Sequence, residues 1–149
     1  MGSNVCVYDL ECNQLYPLQT KTWTLRIHRL GTDEWLRINP FKSTLNIKEE
    51  VLKFIFKYPN PIIVGHNILG YDSWVLWKDF GIDFRVGPDL LCGRPVKYFD
   101  TLFASQFFYP DREGGHSLKS WGIRYGDEKI DYKQLLIDKG ILPKGSPDG

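Results

Sequence analysis

The order in which the hydrophobic period changes along the chain constrains its fold more than any other feature. Thr22-Trp23-Thr24-Leu25-Arg26-Ile27-His28-Arg29 alternates with period two, as does Glu34-Trp35-Leu36-Arg37-Ile38. Gly31-Thr32-Asp33 between them supplies turn chemistry, so the pair predicts a β-hairpin. The apolar run Val5-Cys6-Val7-Tyr8 predicts a strand through Leu10 ahead of the hairpin. Beyond it, helical and strand-like segments take turns. Asn46 with Glu49 three residues later has the look of a capping box, opening a helix with Ile47, Val51, Phe54 and Ile55 on one face. Ile62 to Val64 read as a buried strand, and Ser73 to Phe80 as a helix stopped by Gly81. Val96 to Phe99 predict a strand, and Thr101 to Phe108 a helix that Pro110 ends. Gly81 to Pro95 and Tyr109 to Gly115 look irregular. A hairpin followed by strands alternating with helices implies an α/β protein with a mixed sheet.

Composition narrows the class. One domain is the expectation for 149 residues, and 15% aromatics with five Trp are ample for a core. A formal charge of +1 gives no general basic excess to attract nucleic acid. It leaves room for a protein that holds a few nucleotides by local stacking. Cys6, Cys12 and Cys92 match no zinc spacing and cannot all pair within the chain, so free thiols in a reducing compartment are expected. No apolar run approaches the ~20 residues of a membrane span and no secretory segment opens the chain, which points to the cytoplasm and away from membranes.

Two places carry chemistry. Asp9 and Glu11 leave the first strand two residues apart, so both side chains point to one face. Like charges that close are hard to keep ionised without a cation between them, and their oxygens suit Mg²⁺ or Mn²⁺. Acidic pairs at strand ends are commonly solvated turn residues, so the pair alone is weak evidence for a metal. Asp72 opens a helix, where free N–H groups and the dipole favour a carboxylate. By itself it reads as a helix cap, and His66-Asn67 as a polar turn.

Taken together, Asp9-Leu10-Glu11-Cys12-Asn13 and Gly65-His66-Asn67-Ile68-Leu69-Gly70-Tyr71-Asp72 resemble the first two motifs of the DEDD (DnaQ-like) 3′→5′ exonucleases. The nearer similarity is to the N-terminal proofreading domain of phage family A DNA polymerases. Asp100-Thr101-Leu102 and Gly115-His116-Ser117-Leu118-Lys119-Ser120-Trp121-Gly122 follow in the family's order. The resemblance runs over nearly the whole chain and implies a ribonuclease-H-like mixed sheet, three antiparallel strands and then parallel ones, flanked by helices. It implies an exonuclease domain over residues 3–142 with a flexible tail at 143–149. It also implies phosphodiester hydrolysis at the 3′ end of single-stranded DNA by two ions, Mg²⁺ or Mn²⁺, about 3.5–4 Å apart. Carried over residue by residue, Asp9 bridges both ions, Glu11 ligates the first and Asp72 supports the second. Asn13 and Leu15 fall where the family touches the terminal nucleotide, and His66 and Asn67 near the phosphate path. The chain then belongs to a phage DNA polymerase, as a part or a subunit, in the host cytoplasm.

One family element has no match. The fourth carboxylate follows a Tyr by four residues or a His by five, yet four after Tyr125 stands Lys129 and four after Tyr132 stands Leu136. The remaining acids after Gly126 are Asp127, Glu128, Asp131 and Asp138. Asp131 to Lys139 resembles the helix before the fourth motif, and the breaker-rich Pro143 to Gly149 cannot prolong a helix. The expectation is a domain cut before that motif, completed by a polymerase domain or a C-terminal fragment. The alternative is a catalytically weakened module for nucleic-acid binding or polymerase assembly.

Overall fold

A computed structural model of the chain describes residues 3–18, 20–85, 87, 89–127 and 132–141. They belong to two compact units, Met1–Pro110 and Asp111–Gly149. The expected tail at 143–149, and Glu128 and Asp131 among the acids above, lie outside the described residues.

In the first unit, β1 (Val5–Cys12), β2 (Thr22–Arg29) and β3 (Trp35–Ile38) precede α1 (Ile47–Ile55) and β4 (Ile62–Gly65). A π-helical turn over Ile68–Asp72 leads into α2 (Ser73–Phe80). The expected irregular stretch from Gly81 to Pro95 contains a two-strand ribbon, β5 (Leu90–Leu91) with β6 (Arg94–Pro95). β7 (Lys97–Asp100) and α3 (Thr101–Phe108) close the unit. The main sheet has the order β3-β2-β1-β4-β7. β1, β2 and β3 pair antiparallel, whereas β4 joins β1 and β7 joins β4 in parallel. This is the mixed sheet that the sequence implied.

Alternation on β1 works as the pattern predicted. Cys6, Tyr8 and Leu10 enter the core, which Leu25, Ile27, Ile63, Val51, Ile55, Val75 and Leu76 complete, while Asp9 and Glu11 are exposed. Asn46 caps α1, its Oδ1 accepting from the Glu49 N–H at 3.2 Å. Gly81 ends α2 at φ 66°, a left-handed conformation that glycine adopts without a Cβ penalty. Arg29 is the exception to the apolar inward row of β2. Its guanidinium is fully buried, donating to Glu34 Oε2 at 2.6 Å, to the Ser3 carbonyl at 3.1 Å and to the Phe54 carbonyl. It also lies over the rings of Phe54 and Tyr58, at 4.6 and 4.8 Å from their centroids. A buried cation persists because every side of it meets an acceptor or a π face.

The second unit contains α4 (Leu118–Tyr125) and α5 (Tyr132–Asp138). Ser117 caps α4, its hydroxyl accepting from the Ser120 N–H at 3.1 Å, and Gly126 ends it at φ 71°. The three cysteines are free thiols. Among the described residues no helix is long and apolar enough to cross a membrane.

Candidate active site

Parallel strands deliver their carboxyl ends to the same edge of a sheet, and in open α/β sheets that edge is where ligands bind. Here β1 leaves through Asp9 and Glu11, β4 through Gly65 and His66, and β7 through Asp100, which pairs with Gly65. Asp9 stands opposite Arg26 and Glu11 opposite Thr24 on β2, with an irregularity in the pairing between Glu11 and Cys12. Such a bulge re-aims side chains where a strand ends.

The chain turns sharply after β4. A Cβ at Gly65 would collide with Ile68 Cγ2 and stand 3.1 Å from the Tyr8 carbonyl, so only glycine lets this turn press onto β1. Asn67 takes the left-handed conformation at φ 59°. Asp100 holds the turn in place: one oxygen accepts from the Asn67 N–H at 2.9 Å and from Leu102 at 3.0 Å, the other from Leu69 at 3.1 Å. One carboxylate thus caps α3 and fixes the loop after β4. Thr101 Oγ1 donates to the Gly65 carbonyl at 3.2 Å and therefore accepts from His66 Nδ1 at 3.0 Å. That assignment leaves Nε2 as the acceptor of a neutral ring. Burial lowers the His66 pKa, partly opposed by Asp100, which favours the neutral form.

Asp72 differs from an ordinary cap. It ends the π-helical turn in right-handed helical geometry, φ −59° and ψ −41°, and its side chain makes no capping hydrogen bond. It is only 6% exposed. The neighbouring Ser73 Oγ and Tyr8 hydroxyl are hydrogen-bonded at 2.8 Å in the core, fastening this junction to β1. Burial, then the charges of Asp9, Asp100 and Glu11, push the Asp72 carboxyl from an ordinary 3.8 up to about 8. Three elements therefore bring four carboxylates within electrostatic reach of one another, and local helix capping does not account for Asp72. A strong shift from burial plus named charge partners is characteristic of functional carboxylates.

The donor set consists of carboxylate oxygens, which suit a hard divalent ion. Among the described residues no three His, Cys, Asp or Glu side chains stand close enough to hold one. Asp9, Glu11 and Asp72 carry carboxyl groups that could ligate such an ion, whereas Asp100 is engaged by backbone N–H groups. The remaining expected contacts lie on the loop after β1. Asn13 Oδ1 accepts from Thr20 Oγ1 at 2.9 Å and from the Lys21 N–H at 2.7 Å, closing that loop. Leu15 is 89% exposed, and the Tyr71 hydroxyl donates to the neighbouring Gln14 carbonyl, tying the loop to the segment before Asp72. Asp100 is the residue whose place in the site the sequence did not assign. Its signals were the Asp100-Thr101-Leu102 landmark, which carried no role, and an Asp before a helical run at a strand end, which an ordinary cap also gives.

No protein-family model matches the chain, and no curated relative does. Solved structures share its fold. Brucella melitensis NrnC with bound Mg²⁺ superposes with a TM-score of 0.56 at 23% identity, over 86% of this chain and 56% of that one. Escherichia coli RNase D, an exoribonuclease involved in structured RNA processing, gives 0.59 at 16% identity, over 89% and 30%. The catalytic core of RRP6 from Trypanosoma brucei gives 0.59 at 22%, over 97% and 34%. The chain thus spans about half of NrnC and about a third of the other two. At these identities the likeness establishes the fold, the ribonuclease-H-like α/β arrangement that the motifs implied.

Proposed function

We propose that this chain is a metal-dependent 3′→5′ exonuclease of the DEDD (DnaQ-like) type, removing nucleotides from the 3′ end of single-stranded DNA as part or subunit of a phage DNA polymerase. The observation that carries the proposal is Asp72. A carboxyl without a capping role, raised to about 8 by burial and then by three neighbouring acids, is one that a divalent cation would stabilise in its ionised form. Asp9, Glu11 and Asp72 are the residues to hold Mg²⁺ or Mn²⁺. An ion bound there supplies Lewis-acid stabilisation of phosphoryl oxygens and acidifies a water nucleophile. Asp100 and Thr101 act on the protein side, fixing the His66-Asn67 turn beside the cluster. Bound Mg²⁺ in NrnC and the exoribonuclease activity of RNase D support this chemistry in the shared fold.

A second reading, a nucleic-acid-binding or polymerase-assembly module without turnover, is favoured by one observation: no three ligating side chains stand together among the described residues. Release of nucleotides from a 3′-labelled single strand in Mg²⁺ or Mn²⁺ separates the two. The nuclease reading expects release that Asp9→Ala and Glu11→Ala abolish. It also expects faster release when a segment bearing Tyr-x-x-x-Asp is joined or supplied separately, because a positioned general base is worth ~10²–10⁴ in rate. Strand binding with no release in either form establishes the second reading. RNA oligonucleotides of the same sequence decide the sugar preference.

A further inference from the structure

The second unit contains a basic groove for which the carboxylate site has no use. We propose that it binds the phosphodiester backbone of a single nucleic-acid strand, with Tyr125 as a stacking surface for a base; the choice of polymer rests on the nuclease reading. The groove measures about 490 Å³ and runs beside α4. Arg112, Lys119 and Arg124 line it with Ser117 and Ser120, against one acid, Glu113. Lys119 and Arg124 are exposed and have no ion-pair partner among the described residues.

Arg112 is held in a fixed pose. Its Nη1 donates to the Gly115 carbonyl and, at 2.6 Å, to Ser120 Oγ, while Nη2 donates to the Ser120 carbonyl at 3.1 Å. The guanidinium lies 3.9 Å from the centroid of the Trp121 ring. Of its five N–H donors three are used, which leaves Nε–H and the second Nη2–H. A guanidinium with unused donors meets phosphate oxygens, two at a time where the donors lie on one side of it. Nε is buried without a partner among the described residues, a rare condition for a native donor and one that an anionic oxygen relieves.

An open aromatic ring distinguishes a strand from a free phosphate ion. Trp121 and Tyr125 stack at 5.6 Å between centroids and 15° between planes, and Tyr125 is 75% exposed. Arg112 packs on Trp121, which also stacks with Tyr125, so cations and an exposed π face meet at α4. That combination is how proteins hold single strands with little regard for sequence. A phosphate ion would use the cations alone.

The test uses the full chain carrying Asp9→Asn, so that the strand survives, and a fluorescein-labelled oligothymidylate followed by anisotropy across a salt series. Lys119→Gln with Arg124→Gln should flatten the slope of log K against log salt by about 0.7 per cation removed. Arg112→Lys should weaken binding although the charge is kept, and Tyr125→Ala should weaken it about 5-fold or more with the slope unchanged. Lys119, Arg124 and Tyr125 are exposed, so their variants test the groove with the fold intact, as thermal melts will verify. Unchanged affinity and slope in the double variant overturn the proposal. So does inorganic phosphate that binds in a manner sensitive to the double variant while the strand does not. A strand bound with these sensitivities but never cut by the unsubstituted chain refutes the nuclease reading alone. Cutting with unaltered strand affinity in every groove variant refutes the groove alone.

Discussion

Replacing Asp72 by Asn removes a carboxyl that resists ionisation in the folded chain, and the consequence is a change in how stability depends on pH. In the unfolded chain this group titrates near 3.8, and in the folded one near 8. Between those values the folded state binds the proton that the unfolded state has released. Stability therefore falls as pH rises through the window, at up to ~1.4 kcal/mol per pH unit for a single group. About four units at that slope set a ceiling of ~6 kcal/mol on the loss by pH 8. Asn cannot ionise, so Asp72→Asn removes this slope whatever fixed cost the amide brings; an imperfectly bonded buried amide adds ~1–3 kcal/mol at every pH. The assay is urea unfolding of both proteins from pH 4.5 to 8 in EDTA. The difference in their unfolding free energies should move steadily in favour of Asp72→Asn as pH rises. Parallel stability curves would refute the argument, because Asp72 would then ionise as easily in the folded chain as in the unfolded one.

Calorimetry with Mn²⁺ should show weak binding that Asp9→Ala abolishes, since the site depends on a few carboxylate oxygens; an unchanged isotherm in the variant would place the metal elsewhere. Gly65→Ala should destabilise by ~1–3 kcal/mol through overpacking against Ile68 and the Tyr8 carbonyl, read as a fall of several degrees in Tm. An unchanged Tm would mean the turn after β4 relaxes freely. Arg29→Ala should cost roughly 2–6 kcal/mol in urea unfolding, because the Ser3 and Phe54 carbonyls each lose a donor at ~1–3 kcal/mol apiece, while Glu34 keeps Lys57. Arg29→Lys should recover little of that, as an ammonium cannot span the same acceptors, and full recovery would show that charge alone matters.

Most helices and strands of the first unit, and the hairpin pairing of β2 with β3, were legible in the chain's local patterns, whereas the β5–β6 ribbon and the π-helical turn were not. The apolar run from Val5 became β1, period-two segments became β2 and β3, the Asn46 cap opened α1, and Gly81 closed α2, because each depends on residues only a few positions apart. The motif spacing likewise gave Asp9, Glu11 and Asp72 as the candidate carboxylates. Tertiary structure decided what those groups experience. Asp72 had the sequence of a helix cap, and only the approach of β1 and β7 made it a buried acid under the charges of Asp9, Asp100 and Glu11. Asp100 looked like a cap as well and is one, but it also holds the turn after β4 because parallel pairing sets Asp100 beside Gly65. Arg29 followed the alternation of a strand, yet nothing local announced that Glu34, Ser3 and Phe54 would converge on its guanidinium. Local patterns report which backbone conformation a segment prefers. Burial and charge coupling arise between residues far apart in the chain, and exist only once the sheet has brought them together.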